Sequence, residues 1–210
     1  LQFLHHPAPD LSLATLEDHS HPAWQRLKAE ELLAQQLSQL QSRRARDVLH
    51  APPLRAIAGG LRDRLLAALP FELTDAQRRV SREIAADLGR QAPMHRLLQG
   101  DVGSGKTVVA LLAAACVIET GAQAALMAPT EILARQHLQT IAPLADKTGL
   151  RVALLTGREK GRARAELLMR LERGEIDLLI GTHALIQDGV VFKALALAIV
   201  DEQHRFGVRE

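Results

Sequence analysis

The stretch Gly100-Asp101-Val102-Gly103-Ser104-Gly105-Lys106-Thr107 constrains this chain more than any other, because it meets the spacing G-x-x-x-x-G-K-[ST] in full. Phosphate oxygens are best met by several convergent backbone N–H groups at the start of a helix, where side chains would block the approach. Gly100, Gly103 and Gly105 permit positive φ and a close ligand, Lys106 can neutralise the outer phosphates, and the Thr107 hydroxyl suits Mg²⁺. The apolar pair Leu97-Leu98 ahead of the loop and the breaker-free segment from Val108 to Glu119 behind it predict strand, loop and helix in succession. An ordinary glycine turn before a core helix has the same local composition; the flanking elements favour a nucleotide site. The loop specifies an NTP and leaves open what its energy is used for.

Four apolar runs follow, Ala124 to Met127, Val152 to Leu155, Leu178 to Ile180 and Leu195 to Val200, alternating with helical stretches Thr130 to Leu144 and Arg162 to Leu171. This pattern predicts an α/β fold with a parallel β-sheet covered by helices on both faces. Right-handed crossovers then place every strand's C-terminal end along one edge, where chemistry is expected. The last run ends in Asp201-Glu202. Asp201 is read as the metal-facing acid opposite Thr107, and Glu202 as the base that orients and deprotonates the water attacking the γ-phosphate. Standing alone, the pair would be a solvated acidic turn.

The other strand ends carry Thr130, Thr156-Gly157 and Thr182-His183. Such tips can present N–H and O–H donors to successive phosphates of a nucleic-acid backbone. Each taken singly is equally well a turn or a helix cap. Segment 158–173 adds six basic residues against three acidic, a charge that a solvated helix also explains. Upstream, Thr74 is placed to cap a helix ending near Leu88. Gln77, in its first turn, carries an amide that can donate to and accept from an adenine edge. Without the nearby phosphate loop it would be read as an exposed helix glutamine.

The remaining segments are less specific. His5, His6, His19 and His21 lie among prolines at spacings that support no metal site. Trp24 to about Val48 reads as an amphipathic helix whose apolar stripe suits packing on the main domain. Its Arg43, Arg44 and Arg46 suit DNA phosphates, but a solvated basic helix end is the simpler account. A short helical stretch interrupted at Gly59-Gly60 runs to Leu69. With 26 Lys plus Arg against 24 Asp plus Glu, no global field argues for nucleic acid, so any footprint is local. The single cysteine, Cys116, sits in an apolar helix and reads as core. No apolar run is long enough for a bilayer, and a cytoplasmic setting is expected. Starting at Leu1 and stopping at Glu210, the chain is expected to be part of something longer.

Taken together, Leu73-Thr74-x-x-Gln77, Met94-x-Arg96-Leu97-x-Gln99 through Thr107, Ala128-Pro129-Thr130-Glu131, Gly181-Thr182-His183-Ala184 and Asp201-Glu202-Gln203-His204-Arg205-Phe206-Gly207-Val208 closely resemble the RecG family, bacterial superfamily 2 ATP-dependent branched-DNA helicases. The likeness spans nearly the whole chain. It implies a helical linker over residues 1–70 and a first RecA-like motor domain over 71–210, incomplete at its C-terminal end. It also implies ATP and Mg²⁺ as ligands and DNA, branched or duplex, as partner. Gln77 then resembles the adenine-reading glutamine. Thr130, Thr156, Gly157, Thr182 and His183 fall on DNA-backbone motifs, and Gln203 and His204 on residues that relay nucleotide state to a neighbouring domain. The motor of transcription-repair coupling factors is the nearest alternative, but it typically carries an aromatic where Ser104 stands and reads D-E-E-Q rather than D-E-Q-H. The family's wedge domain and second motor domain, source of an arginine finger, have no counterpart in these residues, so the chain alone is expected not to unwind DNA. A small-molecule kinase would need an acceptor pocket and lid that the sequence does not suggest. A nucleotide-dependent binding module without turnover remains the third class.

Overall fold

The computed structural model describes residues 22–101 and 103–201. The histidine-rich start, Val102, Glu202, Gln203 and His204 lie outside the described residues. By internal packing the chain forms two units, 1–51 and 52–210. The first contains helix α1 (Pro22–Asp47). The second contains α2 (Leu61–Ala68), α3 (Asp75–Leu88), α4 (Lys106–Ile118), β1 (Gln123–Met127), α5 (Glu131–Thr148), β2 (Val152–Leu155), α6 (Gly161–Glu172), β3 (Leu178–Gly181), a 3₁₀ turn (His183–Ile186) and β4 (Leu195–Val200). Residues 52–70, assigned to the linker from sequence, pack in this second unit. Leu65 of α2 is 0% exposed there, in one core with Leu112 of α4 and Ile141 of α5.

The four strands form one parallel sheet in the order β2-β3-β1-β4. Period-two alternation sorts their side chains. Ala124, Leu126, Leu178 and Ile180 join α2, α4 and α5 on one face, while Ala125, Leu155 and Leu179 join Leu171 of α6 and Leu185 of the 3₁₀ turn on the other. The helix behind the phosphate loop is buried nearly all round, with nine residues from Val109 to Ile118 inside. It has α3 on its far side, where Ile84 and Leu88 meet Val109, Ala113 and Cys116. Cys116 is core, as expected, and burial pushes its thiol up to about 11.

The expected helices are present, with one marked difference of extent. α5 runs on to Thr148 through Pro143, because Ile141, Leu144 and Ala145 continue its buried stripe, and it stops at Gly149 with φ +75°. The turn into α2 is fixed by Glu119, whose carboxylate accepts from Ile57 N (2.8 Å) and Arg62 N (3.2 Å).

One strand expectation is corrected. The Leu97-Leu98 lead-in forms no strand: Leu97 is 72% exposed, and the segment is held instead by Arg96, which pairs with Asp87 (2.6 Å) and Glu83 (3.0 Å) of α3. A strand needs a lateral partner for its backbone groups, and among the described residues this segment has none. Helices cover both faces of the sheet as expected, and in β4 Leu197 and Ile199 face the core while Ala196, Ala198 and Val200 are exposed.

The sheet's N-terminal edge is closed by Gln123, 3% exposed. Its Nε2 donates to Leu171 O (3.0 Å) and Ile176 O (2.7 Å), and its Oε1 accepts from Ala194 N (3.0 Å). Gln123→Leu removes the partner of three backbone groups, two of them buried, and is expected to lower unfolding free energy by about 3 kcal/mol in urea denaturation. A change within about 0.5 kcal/mol, the range of an inert surface substitution, would contradict this account.

Candidate functional site

The phosphate loop is shaped by its glycines. Gly103 (φ +82°) and Gly105 (φ +79°) occupy left-handed backbone, and a Cβ on Gly105 would run into Nε2 of Gln77. Gly105 opens α4, and the N–H groups of Lys106 and Thr107 that follow have no acceptor within the helix. The Lys106 ammonium folds over the loop and donates to Gly100 O (2.7 Å) and Asp101 O (2.8 Å), while Ser104 N donates to Asp101 O (3.1 Å).

Gln77 touches this loop directly. Thr74 and Gln77 form a reciprocal capping box: Gln77 N donates to Thr74 Oγ1 (3.2 Å), and Thr74 N donates to Gln77 Oε1 (2.9 Å). Gln77 Nε2 then donates to Ser104 O (2.9 Å). The amide keeps one hydrogen and one lone-pair direction beyond these bonds, which is what a nucleobase edge requires.

All four strands end on the expected edge. Asp201 follows β4, with its N–H on Met127 O (2.8 Å) and its Oδ2 2.8 Å from His137 Nε2 on α5. Thr130 follows β1 and caps α5, accepting from Leu133 N (3.3 Å). Thr130, Gly157 and His183 are exposed, whereas Thr156 (0%) and Thr182 (3%) are buried. At the tip of β3 only glycine fits, since a Cβ on Gly181 would meet Leu155 O. Arg158 and Glu131 pair at 2.7 Å between the tips of β2 and β1.

Two residues of this edge were not singled out from sequence. His137 is legible only as a polar side chain on the buried stripe of α5. Glu159 follows a strand tip, where a carboxylate beside a threonine was an available signal. Its Oε2 accepts from both Thr156 N (2.6 Å) and Thr156 Oγ1 (2.8 Å). Burial pushes the Glu159 carboxyl up, but these two bonds, joined by a bond from its own backbone N–H and by the charge of Arg135, outweigh burial and hold it below the usual glutamate range. With a lowered folded-state value, the stabilisation is complete above the unfolded-state value and is lost as pH falls through the folded one. Wild type should therefore melt higher than Glu159→Gln at neutral pH, and the gap should narrow as pH falls below the usual glutamate range. A gap that stays constant over that range would contradict the assignment.

Comparison with known proteins agrees with this architecture. A family model for DEAD/DEAH box helicases matches residues 74–210. The ATP-dependent DNA helicase RecG of Pasteurella multocida (strain Pm70) is 51% identical over 210 residues, which is 100% of this chain and 30% of that protein. RecG of Bacillus subtilis (strain 168) is 60% identical over 147 residues, 70% of this chain and 22% of the relative. Among solved structures, RecG bound to a three-way DNA junction matches with a TM-score of 0.79 and 45% identity, covering 89% of this chain and 25% of that one. The chain thus spans less than a third of the length of these relatives. With a match running from the cap of α3 through the phosphate loop to the last residue, the chain belongs to the DEAD/DEAH box helicase family.

Proposed function

We propose that this chain is the ATP-binding motor domain of an ATP-dependent DNA helicase that remodels branched DNA in repair and recombination, acting in the cytoplasm. The observation that carries the reading is the placement of a phosphate loop at the head of a buried helix together with an acidic strand tip, Asp201, on a single parallel sheet. Identity of 51% over the whole chain to a RecG helicase supports the choice within the family.

The residues fit ATP and Mg²⁺. The loop's glycines leave room where a Cβ would intrude, Thr107 stands in the first turn of α4, and Asp201 offers a carboxylate that is 30% exposed at a strand end. Bound there, Mg²⁺ supplies positive charge to the phosphates. The protein's own part begins with Lys106, which exchanges loop carbonyls for outer phosphate oxygens, while the free N–H groups of α4 hold their neighbours. Gln77 reads the adenine edge with its remaining donor and acceptor. Glu202 orients the attacking water and takes its proton, and Gln203 and His204 relay the result to the neighbouring domain. Thr130, Thr156, Gly157, Thr182 and His183 form the DNA-backbone edge, with Thr130, Gly157 and His183 facing solvent. Turnover further requires a basic finger from a second RecA-like domain, and junction splitting a wedge domain, in the full-length protein.

Lys106→Ala should abolish detectable binding of a fluorescent ATP analogue. Glu202→Gln in the full-length protein should retain that binding and lose about 10²-fold or more in hydrolysis. Unchanged phenotype with Glu202→Gln would instead favour a nucleotide-dependent switch.

A further inference from the structure

His137 stands where the pattern of α5 calls for an apolar residue. The helix's buried stripe runs through Ala134, Ile141, Leu144, Ala145 and Thr148, and position 137 falls on that same face. Its ring is 13% exposed and its Nε2 lies 2.8 Å from Asp201 Oδ2, across 64 residues of chain. An ionised carboxylate only accepts, so Nε2 is the donor. The backbone of Asp201 is independently pinned, its N–H donating to Met127 O at 2.8 Å. The acid is therefore held at two points, its backbone from β1 and its head group from α5. Among the described residues no other side chain bonds that carboxylate.

The geometry points to His137 as the positioning residue that sets the Asp201 carboxylate for the nucleotide's divalent cation, an inference that rests on reading Asp201 as the metal-facing acid. A carboxylate free to rotate must be fixed when the cation binds, at the expense of metal affinity. A donor already fixing one oxygen removes that cost and directs the other. Arginine in the same place would do so with a permanent charge that competes with the cation, whereas imidazole need not. Partners of this kind behind a metal ligand typically govern metal affinity by 10–100-fold. The helix carrying His137 is itself anchored: Ala134 and Ile141 are 0% and 1% exposed on either side of it, and its first residue, Glu131, is tied to Arg158. The alternative is a histidine that merely satisfies a polar position in the core.

The two readings differ in what they do to the metal, and a titration separates them. MgCl₂ is varied while the affinity of the chain for a fluorescent ATP analogue is followed, with thermal unfolding as a control for each variant. His137→Ala is expected to raise the Mg²⁺ concentration at half-effect about 10-fold while leaving affinity in EDTA unchanged. His137→Gln, whose amide reaches to the depth of Nε2, should restore the wild-type midpoint. His137→Asn keeps a donor but falls short of the carboxylate, and should behave like the alanine variant. Should alanine fail to fold, the Gln and Asn pair decides. The inference is overturned if Gln and Asn give the same midpoint, or if His137→Ala leaves the midpoint in place while Asp201→Ala raises it. A midpoint indifferent to Asp201→Ala would overturn the metal reading of Asp201, and this inference with it.

Discussion

Parallel pairing is the constraint on which everything else in the domain depends. A strand that must lie parallel to its neighbour returns through a crossover, and crossovers of one hand leave every strand ending on the same side. Residues separated by up to 71 positions, Thr130 and Asp201, thereby come to the ends of adjacent strands, β1 and β4. The burial that stabilises this arrangement comes from the crossover helices α5 and α6 together with α4, which precedes β1. Leu112 of α4 and Ile141 of α5 lie on one face and Leu171 of α6 on the other, all at most 2% exposed. The edge that carries polar tips therefore needs no separate scaffold.

Along that edge, functional groups are held by partners from other elements. Gln77 ties α3 to the loop through Ser104 O, Lys106 ties α4 back to Gly100 and Asp101, Glu159 holds both donors of Thr156, and His137 holds Asp201. A ligand arriving at such a site exchanges bonds rather than adding them, so each contact contributes about 1 kcal/mol net rather than its full strength. Selection then rests on how many exchanges a ligand completes at once. Under the proposed function, a nucleoside triphosphate that engaged Gln77, Lys106 and Asp201 together would complete more of them than phosphate alone. On the same proposal, a DNA phosphate could reach the Thr156 donors only by displacing the Glu159 carboxylate that occupies them, an exchange of one anion for another.

Local signals were legible in the sequence to the extent that their physics is local. The helix cap at Thr74, the left-handed Gly103 and Gly105 of the loop, the apolar runs of β1 and β3 and the burial of Cys116 depend on residues close by in sequence, and the structure has them. Leu97-Leu98 had strand composition but no lateral partner, and pairing is a long-range property that composition does not carry. β4, whose six residues are all apolar, forms a strand as its composition suggested and pairs with β1 in the sheet. Thr156 read as a free donor because its partner, Glu159, engages it only once the turn has closed. The role of His137 depends on a residue 64 positions away. The resemblance of motifs bears on residues far apart in the chain, since it groups Gln77, Lys106 and Asp201 in the nucleotide site proposed above.

The central claim is that these residues form the nucleotide-binding side of an ATPase whose remaining charge comes from a second domain. Hydrolysis measured with and without DNA, on the 210-residue chain and on the full-length protein, tests it most directly. The account predicts DNA-stimulated turnover by the full-length protein and none above background by the chain, a separation of about 10³ to 10⁵ for loss of a basic finger. DNA-stimulated turnover by the chain alone, abolished by Lys106→Ala, would contradict it.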